Sequence, residues 1–156
     1  MRIDKKCTIK RIITTILSVL IIGFIFWQSM KPATESSASS GRVVAFFNNI
    51  FSSLGMGKPF TQGFIRTCAH FTEFGLLGSS LCFMFNAYTD ESKVSFILAL
   101  ISSVLIAICD ECIQIFSDGR TFQIIDILID TAGAFLFSVL TLLLMLLIKS
   151  KKRKVK

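Results

Sequence analysis

The chain is poor in the features that usually carry soluble chemistry. It has no glycine-rich phosphate loop and no internal repeat, which removes support for a nucleotide-cradling loop or a repeat array. Its five cysteines include one CxxC, Cys109 and Cys112, without a second pair or a surrounding βαβ pattern. That argues against a zinc ribbon or a thioredoxin-like centre, and leaves Cys7, Cys68 and Cys82 as small hydrophobes. A single histidine leaves imidazole-rich metal sites without material. The serines nearest the polar blocks, Ser29 and Ser117, have no base partner visible along the chain, so no nucleophile stands out. Only two prolines punctuate 156 residues.

What is abundant is apolar surface. Hydrophobic residues make up 53% of the chain and the mean hydropathy is +0.70, too high for an ordinary soluble domain. Ile12 to Met30 carries no charge, long enough at ~1.5 Å per residue to cross a core of about 30 Å. Val94–Cys109 and Thr131–Ile148 are further uncharged runs, and TCAHFTEFGLLGSSLCFMFNAY is a weaker fourth. Backbone groups in lipid need partners within the segment, so these runs predict helices. The expected fold is an all-α, polytopic membrane protein of one domain, residues 1–156, with four transmembrane helices at approximately 12–30, 66–88, 94–115 and 122–148. A basic start before an apolar run also fits a cleavable signal peptide. The run is long for one, however, and WQSMKPATES offers no small-x-small cleavage site.

The net charge of +7 does not point to nucleic acid, because the basic residues sit at the two ends. Arg2, Lys5, Lys6, Lys10 and Arg11 precede the first run, and KSKKRKVK closes the chain. Such flanks predict cytoplasmic termini on both sides of an even number of spans, in contact with anionic lipid. Between the first two spans a Ser-rich linker leads into RVVAFFNNIFSSLG, in which Val43, Phe46, Phe47, Ile50, Phe51 and Leu54 recur at helical spacing. Asn48, Asn49, Ser52 and Ser53 fall elsewhere on that helix. This predicts a short interfacial helix at about 42–55 on the outer face. FSDGRTF, with Asp and Gly at turn positions, is the other outward connection.

The acids inside the apolar runs need a reason to be there. Measured along helices from the inner ends, Lys93 to Asp110, Lys149 to Asp130 and Asp90 to Glu73 each cover about 25–28 Å. All three acids therefore fall near the outer edge of the core. At its centre a carboxylate costs on the order of 3 kcal/mol, so five of them (Glu73, Asp110, Glu111, Asp126, Asp130) require company. Helical spacing supplies it: Arg66, His70 and Glu73 share a face, as do Asp110 and Gln114 with Glu111 beside them, and Asp126, Asp130 and Gly133. With Arg66 and Arg120 at the same level, these nine polar residues are expected to form a mixed-charge pocket open to the outer face.

IRTCAHFTEFGLLG, then DECIQ, then GRTFQIIDILIDTAGA, in that order, resembles the VanZ family over roughly Phe24 to Phe137. Thr67 stands where that family often has Lys, and Phe137 where it often has a second Gly. The resemblance implies a small polytopic protein of the cell membrane, linked in some members to lowered susceptibility to teicoplanin-type glycopeptides. It implies membrane lipids as neighbours; the depth of the pocket makes an amphiphile with an anchored tail and a polar head, a lipoglycopeptide or a lipid-linked wall precursor, the expected ligand. The polar residues themselves admit three uses. They serve as an ion-pair network between helices, as a grip on a ligand's polar head through Arg66 and Arg120, or as a membrane enzyme's acid–base set with His70 and Glu73 at its centre. His70-x-x-Glu73 with nearby acids is a donor set for a hard or borderline divalent ion, but it matches no recognised ligand spacing, so neither a cofactor nor a metal is the expected reading.

Overall fold

The computed structural model describes residues 5–154, so Arg2 and the last two residues of the basic tail lie outside the described residues. All regular structure among those residues is helical: α1 Lys5–Ser29, α2 Ala33–Ser53, α3 Gln62–Thr89, α4 Ser92–Gln114 and α5 Ile124–Lys154. Helix ends fall where local chemistry stops them. Thr61 caps α3 by accepting a hydrogen bond from Phe64 N at 3.2 Å. Asp90 ends the same helix in the left-handed conformation at φ 55°, a state that Asp tolerates better than most residues. The α4–α5 connection turns at Gly119, φ 73°, as the Asp-Gly pair predicted.

Helix α3 is the hub. It packs most extensively against α5 and also touches α1, α2 and α4. Small residues permit the α3–α5 approach. A Cβ on Gly133 would lie 2.1 Å from the carbonyl oxygen of Phe71, and one on Gly78 would lie 2.7 Å from that of Ala134. Gly75 faces the ring of Phe137, 2.8 Å from where its Cβ would be. Phe74, Leu77, Ala99, Ala107 and Ala134, all fully buried, form the core around this seam. Hydroxyl pairs bridge the helices below it: Ser18 with Ser80 at 2.8 Å, and Thr141 donating to Ser79 at 2.9 Å. Such bonds are a common adhesive where packing cannot draw on expelled water.

Three helices, within Cys7–Ser29, Ser92–Gln114 and Ile124–Lys151, are long and apolar enough to cross a membrane. The expected fourth, α3, has the length, at 28 residues, but not that apolar character. Its position explains this, because α3 contacts every other helix and its middle, from Phe74 to Ala87, turns a buried face to them, where glycines and serines serve packing rather than contact with lipid. Helix α1 is the opposite case: Ile13, Leu17 and Leu20 are all at least half exposed.

The chain between α1 and α3 differs from the sequence expectation. The helix expected at about 42–55 begins at Ala33, so the Ser-rich stretch is its first half rather than a linker. Serine tolerates helix at modest cost, and Pro32 with Glu35 supplies a favourable start. Asn48, expected on the polar face, is buried. Its side chain donates to Phe60 O at 2.9 Å and accepts from Phe60 N at 3.0 Å, pinning the segment that leads into α3.

The two ends of the bundle are chemically distinct. At one end Arg11 donates to Ala87 O at 2.9 Å and Lys149 to Asp90 O at 2.6 Å, which places the start of α1 and the end of α5 beside the α3–α4 turn. The opposite end gathers the last turn of α1, the first turns of α3, the last turn of α4 and the start of α5.

Candidate functional site

Each of those helix ends contributes to one polar cluster. From α4, Asp110 is fully buried and accepts the amide of Gln114, one turn on, at 3.0 Å. Its other oxygen accepts the hydroxyl of Ser29, from the end of α1. Ser29 is held in turn by its carbonyl, which accepts the Ser117 hydroxyl at 2.7 Å. From α3, Arg66 lies 3.7 Å from Asp126 and 3.5 Å from the Gln114 carbonyl oxygen. His70 Nδ1 lies 3.4 Å from Oδ1 of Asp130, which is fully buried on α5. Glu111 turns the other way and accepts Gln123 N at 2.8 Å. It thereby ties the end of α4 to the entry of α5, where free N–H groups favour a carboxylate.

A cavity of about 190 Å³ opens over this cluster. Its wall includes Arg66, His70, Glu73, Asp110 and Arg120, together with Ser29 and Lys31 near the end of α1 and Ser36, Ser39 and Ser40 from α2. Burial, and then the nearby Arg66 charge, lower the pKa of Arg120 from its usual value, while Asp110, Glu111 and Asp126 pull it back up. Two guanidinium groups thus repel across a space that an anion would relieve. Lys31 sits over the Trp27 ring, 3.6 Å from its centroid, and donates to Gln28. A second cavity of about 200 Å³ adjoins the first. Leu20, Ile21, Phe24, Ile25 and Leu76 make it almost wholly apolar, and Glu73 lines both.

All nine residues singled out in the sequence lie at this end of the bundle, but they do not play one part. Arg66, His70, Glu73, Asp110 and Arg120 face the cavity. Gln114, Asp126 and Asp130 stand behind them as partners, and Glu111 serves the α4–α5 turn. Sequence reasoning missed the α2 serines, because it began their helix too late to give them a face. It also left Ser29 without a partner; that partner, Asp110, is 81 residues away, and no local spacing announces it. His70, Asp110 and Asp130, from three helices, each offer an atom within 4.8 Å of the others, a grouping capable of holding a metal ion.

No curated protein and no solved structure is significantly similar to the chain. The family profile described as VanZ/LLP1 matches residues 14–147. That stretch takes in α1 from its third turn and most of α5, and contains every residue of the cluster. The chain belongs to the VanZ/LLP1 family.

Proposed function

We propose that this protein crosses the cell membrane four times, with α3 as the fourth span, both termini in the cytoplasm and α2 lying in the outer interface. Its cavity then opens at the outer leaflet. There it holds the polar head of an amphiphile and so lowers susceptibility to teicoplanin-type lipoglycopeptides by binding or shielding. The observation that carries this reading is the junction of a polar cavity with an apolar cleft through the shared wall residue Glu73. A molecule with a charged head and an acyl tail has both halves accommodated side by side. Arg66, Arg120 and Lys31 suit its anionic groups, and Glu73 suits an amine or hydroxyl. The topology draws support from Arg11 and Lys149, which lie together at the far end of the bundle. Exposed Trp27 and Phe116 at the cavity end, and Tyr88 at the other, fit the two interfacial belts. The exposed Phe46 and Ile50 of α2, with Leu54 just beyond its end, suit contact with lipid.

The test is teicoplanin and vancomycin susceptibility of a Gram-positive host expressing the chain, beside His70→Ala and Glu73→Gln at blot-matched membrane levels. The expected outcome is protection against teicoplanin alone, lost in both variants. An abundant wild-type protein that protects against neither would overturn the reading. One arrangement favours a second reading, a membrane enzyme acting on a lipid-linked envelope substrate. His70 is backed by the buried carboxylate of Asp130 at 3.4 Å, as a general base often is. A chemically altered lipid or precursor in mass spectra of expressing cells, absent with His70→Ala, would establish it.

A further inference from the structure

Asp130 presents a problem that the cavity's ligand does not solve. It is fully buried, and neither of its oxygens accepts a hydrogen bond. Among the described residues only His70 comes within ion-pair distance of it. Arg66, the nearest candidate by sequence logic, is engaged instead with Asp126 and Gln114. His70 Nδ1 is likewise buried without a hydrogen-bond partner, although Asp130 Oδ1 is 3.4 Å away. A hydrogen bond between them would bring the atoms to about 2.7–3.2 Å. Buried polar atoms without partners are rare, and a bound ion is one recognised reason for them.

The spacing fits that reason. Two ligands of one ion, each about 2.0–2.1 Å from it in tetrahedral array, stand roughly 3.3 Å apart, close to the observed separation. Asp110 completes the set, with its donor atom within 4.8 Å of the other two. It is already oriented as a metal ligand usually is, one oxygen receiving the Ser29 hydroxyl and the other the Gln114 amide. Each of those oxygens retains a lone pair for a cation. One imidazole and two carboxylates make a hard-to-borderline donor set of charge −2, suited to zinc or manganese and poorly suited to copper(I).

We propose that His70, Asp110 and Asp130 bind a divalent cation of the zinc–manganese class, clamping α3, α4 and α5 together. His70 and Asp110 also line the cavity, so a remaining coordination position faces the space where an anionic head would lie. This inference does not depend on which amphiphile, if any, the cavity takes.

The test uses the full chain purified in detergent and dialysed against metal-free buffer. Mass spectrometry of the protein peak is expected to find an equimolar amount of zinc or manganese. Chelator should lower the melting temperature, and adding back either ion should restore it. His70→Gln and Asp130→Asn should each weaken binding by ~100-fold or more, and Ser29→Ala, which removes only an orienting hydroxyl, by about 10-fold. The metal content of the wild-type protein decides the proposal even where a variant fails to accumulate. A monodisperse wild type that carries only trace metal, and whose melting is unmoved by zinc, manganese or magnesium, would overturn the proposal. So would stoichiometric metal retained unchanged by folded His70→Gln, which would place the ion elsewhere. Loss of teicoplanin protection plays no part in these outcomes, so the two readings fail separately.

Discussion

The same two helices, α3 and α5, meet in opposite ways along their length. At the Gly133 and Gly78 crossings the helices approach so closely that an added Cβ would overlap the facing backbone. About one turn further towards the cavity, His70 faces Asp130 and the buried atoms of that pair go without hydrogen bonds. The first stretch is sterically overdetermined and leaves no room for choice. The second is electrostatically incomplete, and folding alone gives no reason to keep it so. The contrast teaches that close packing of small residues secures this part of the bundle, whereas the His70–Asp130 pair leaves buried polar atoms unmatched, the arrangement from which the proposed cation site is argued.

The largest effect should come from filling the tight stretch. Gly133→Ala puts a methyl 2.1 Å from the Phe71 carbonyl oxygen, and backbone on a buried helix has nowhere to retreat. We expect a loss on the order of 3 kcal/mol, seen as little or no monodisperse protein in fluorescence-detected size exclusion. Gly23→Ala, whose Cβ would meet nothing within 4 Å, is the control and should accumulate normally. Equal behaviour of the two would break the comparison at its steric side.

Next in size is Glu111→Ala. Glu111 is fully buried and its carboxylate receives Gln123 N at 2.8 Å, so truncation leaves that N–H without its acceptor. The expected cost is about 2 kcal/mol, measured as a lower melting temperature in detergent. The cavity wall does not include Glu111, and teicoplanin protection at matched protein level should therefore survive. Loss of protection without loss of stability would move Glu111 from strut to ligand-binding group.

Asp130→Asn should act with the opposite sign. It keeps the shape and removes a buried carboxylate whose one close partner, His70, stands 3.4 Å away without a hydrogen bond, so the chelator-treated variant is expected to melt higher than chelator-treated wild type, by about 1 kcal/mol of stability. Metal binding should fall at the same time. A variant less stable than wild type in the absence of metal would mean that Asp130 is paired within the protein, and the polar end would be as complete as the seam.

Much of this site could be read from sequence because helical spacing is a local rule. Arg66, His70 and Glu73 had to share a face once α3 was a helix, and the same holds for Asp110 with Gln114 and for Asp126 with Asp130. Convergence of those faces followed from depth, since all lay a similar helical length from the inner ends. What escaped was set by contacts distant in sequence. Ser29 meets Asp110 only because α1 and α4 end together. Asn48 is buried only because Phe60 folds back onto α2. The polar content of α3 has a reason visible only in three dimensions, that this helix contacts each of the other four. Phe137, where glycine is common in the family, is absorbed by Gly75 across the seam, a compensation that neither position reveals alone.

The smallest effect sharpens the comparison from its stable side. The Thr141 hydroxyl, with one proton to donate, lies 2.9 Å from both the Ser79 hydroxyl and the Phe137 carbonyl oxygen, below the glycine crossings and outside the cavity wall. Thr141→Val preserves shape and removes the hydroxyl. Interhelical hydrogen bonds in membrane proteins average about 0.6 kcal/mol, because the separated helices find other partners. A melting shift of that order, with metal content and antibiotic protection unchanged, would confirm that hydroxyl pairs trim a seam already determined by glycine contact. A much larger loss would mean that the Ser79–Thr141 bond, rather than steric fit, fixes how α3 and α5 lie, and would reassign the origin of stability at that end of the bundle.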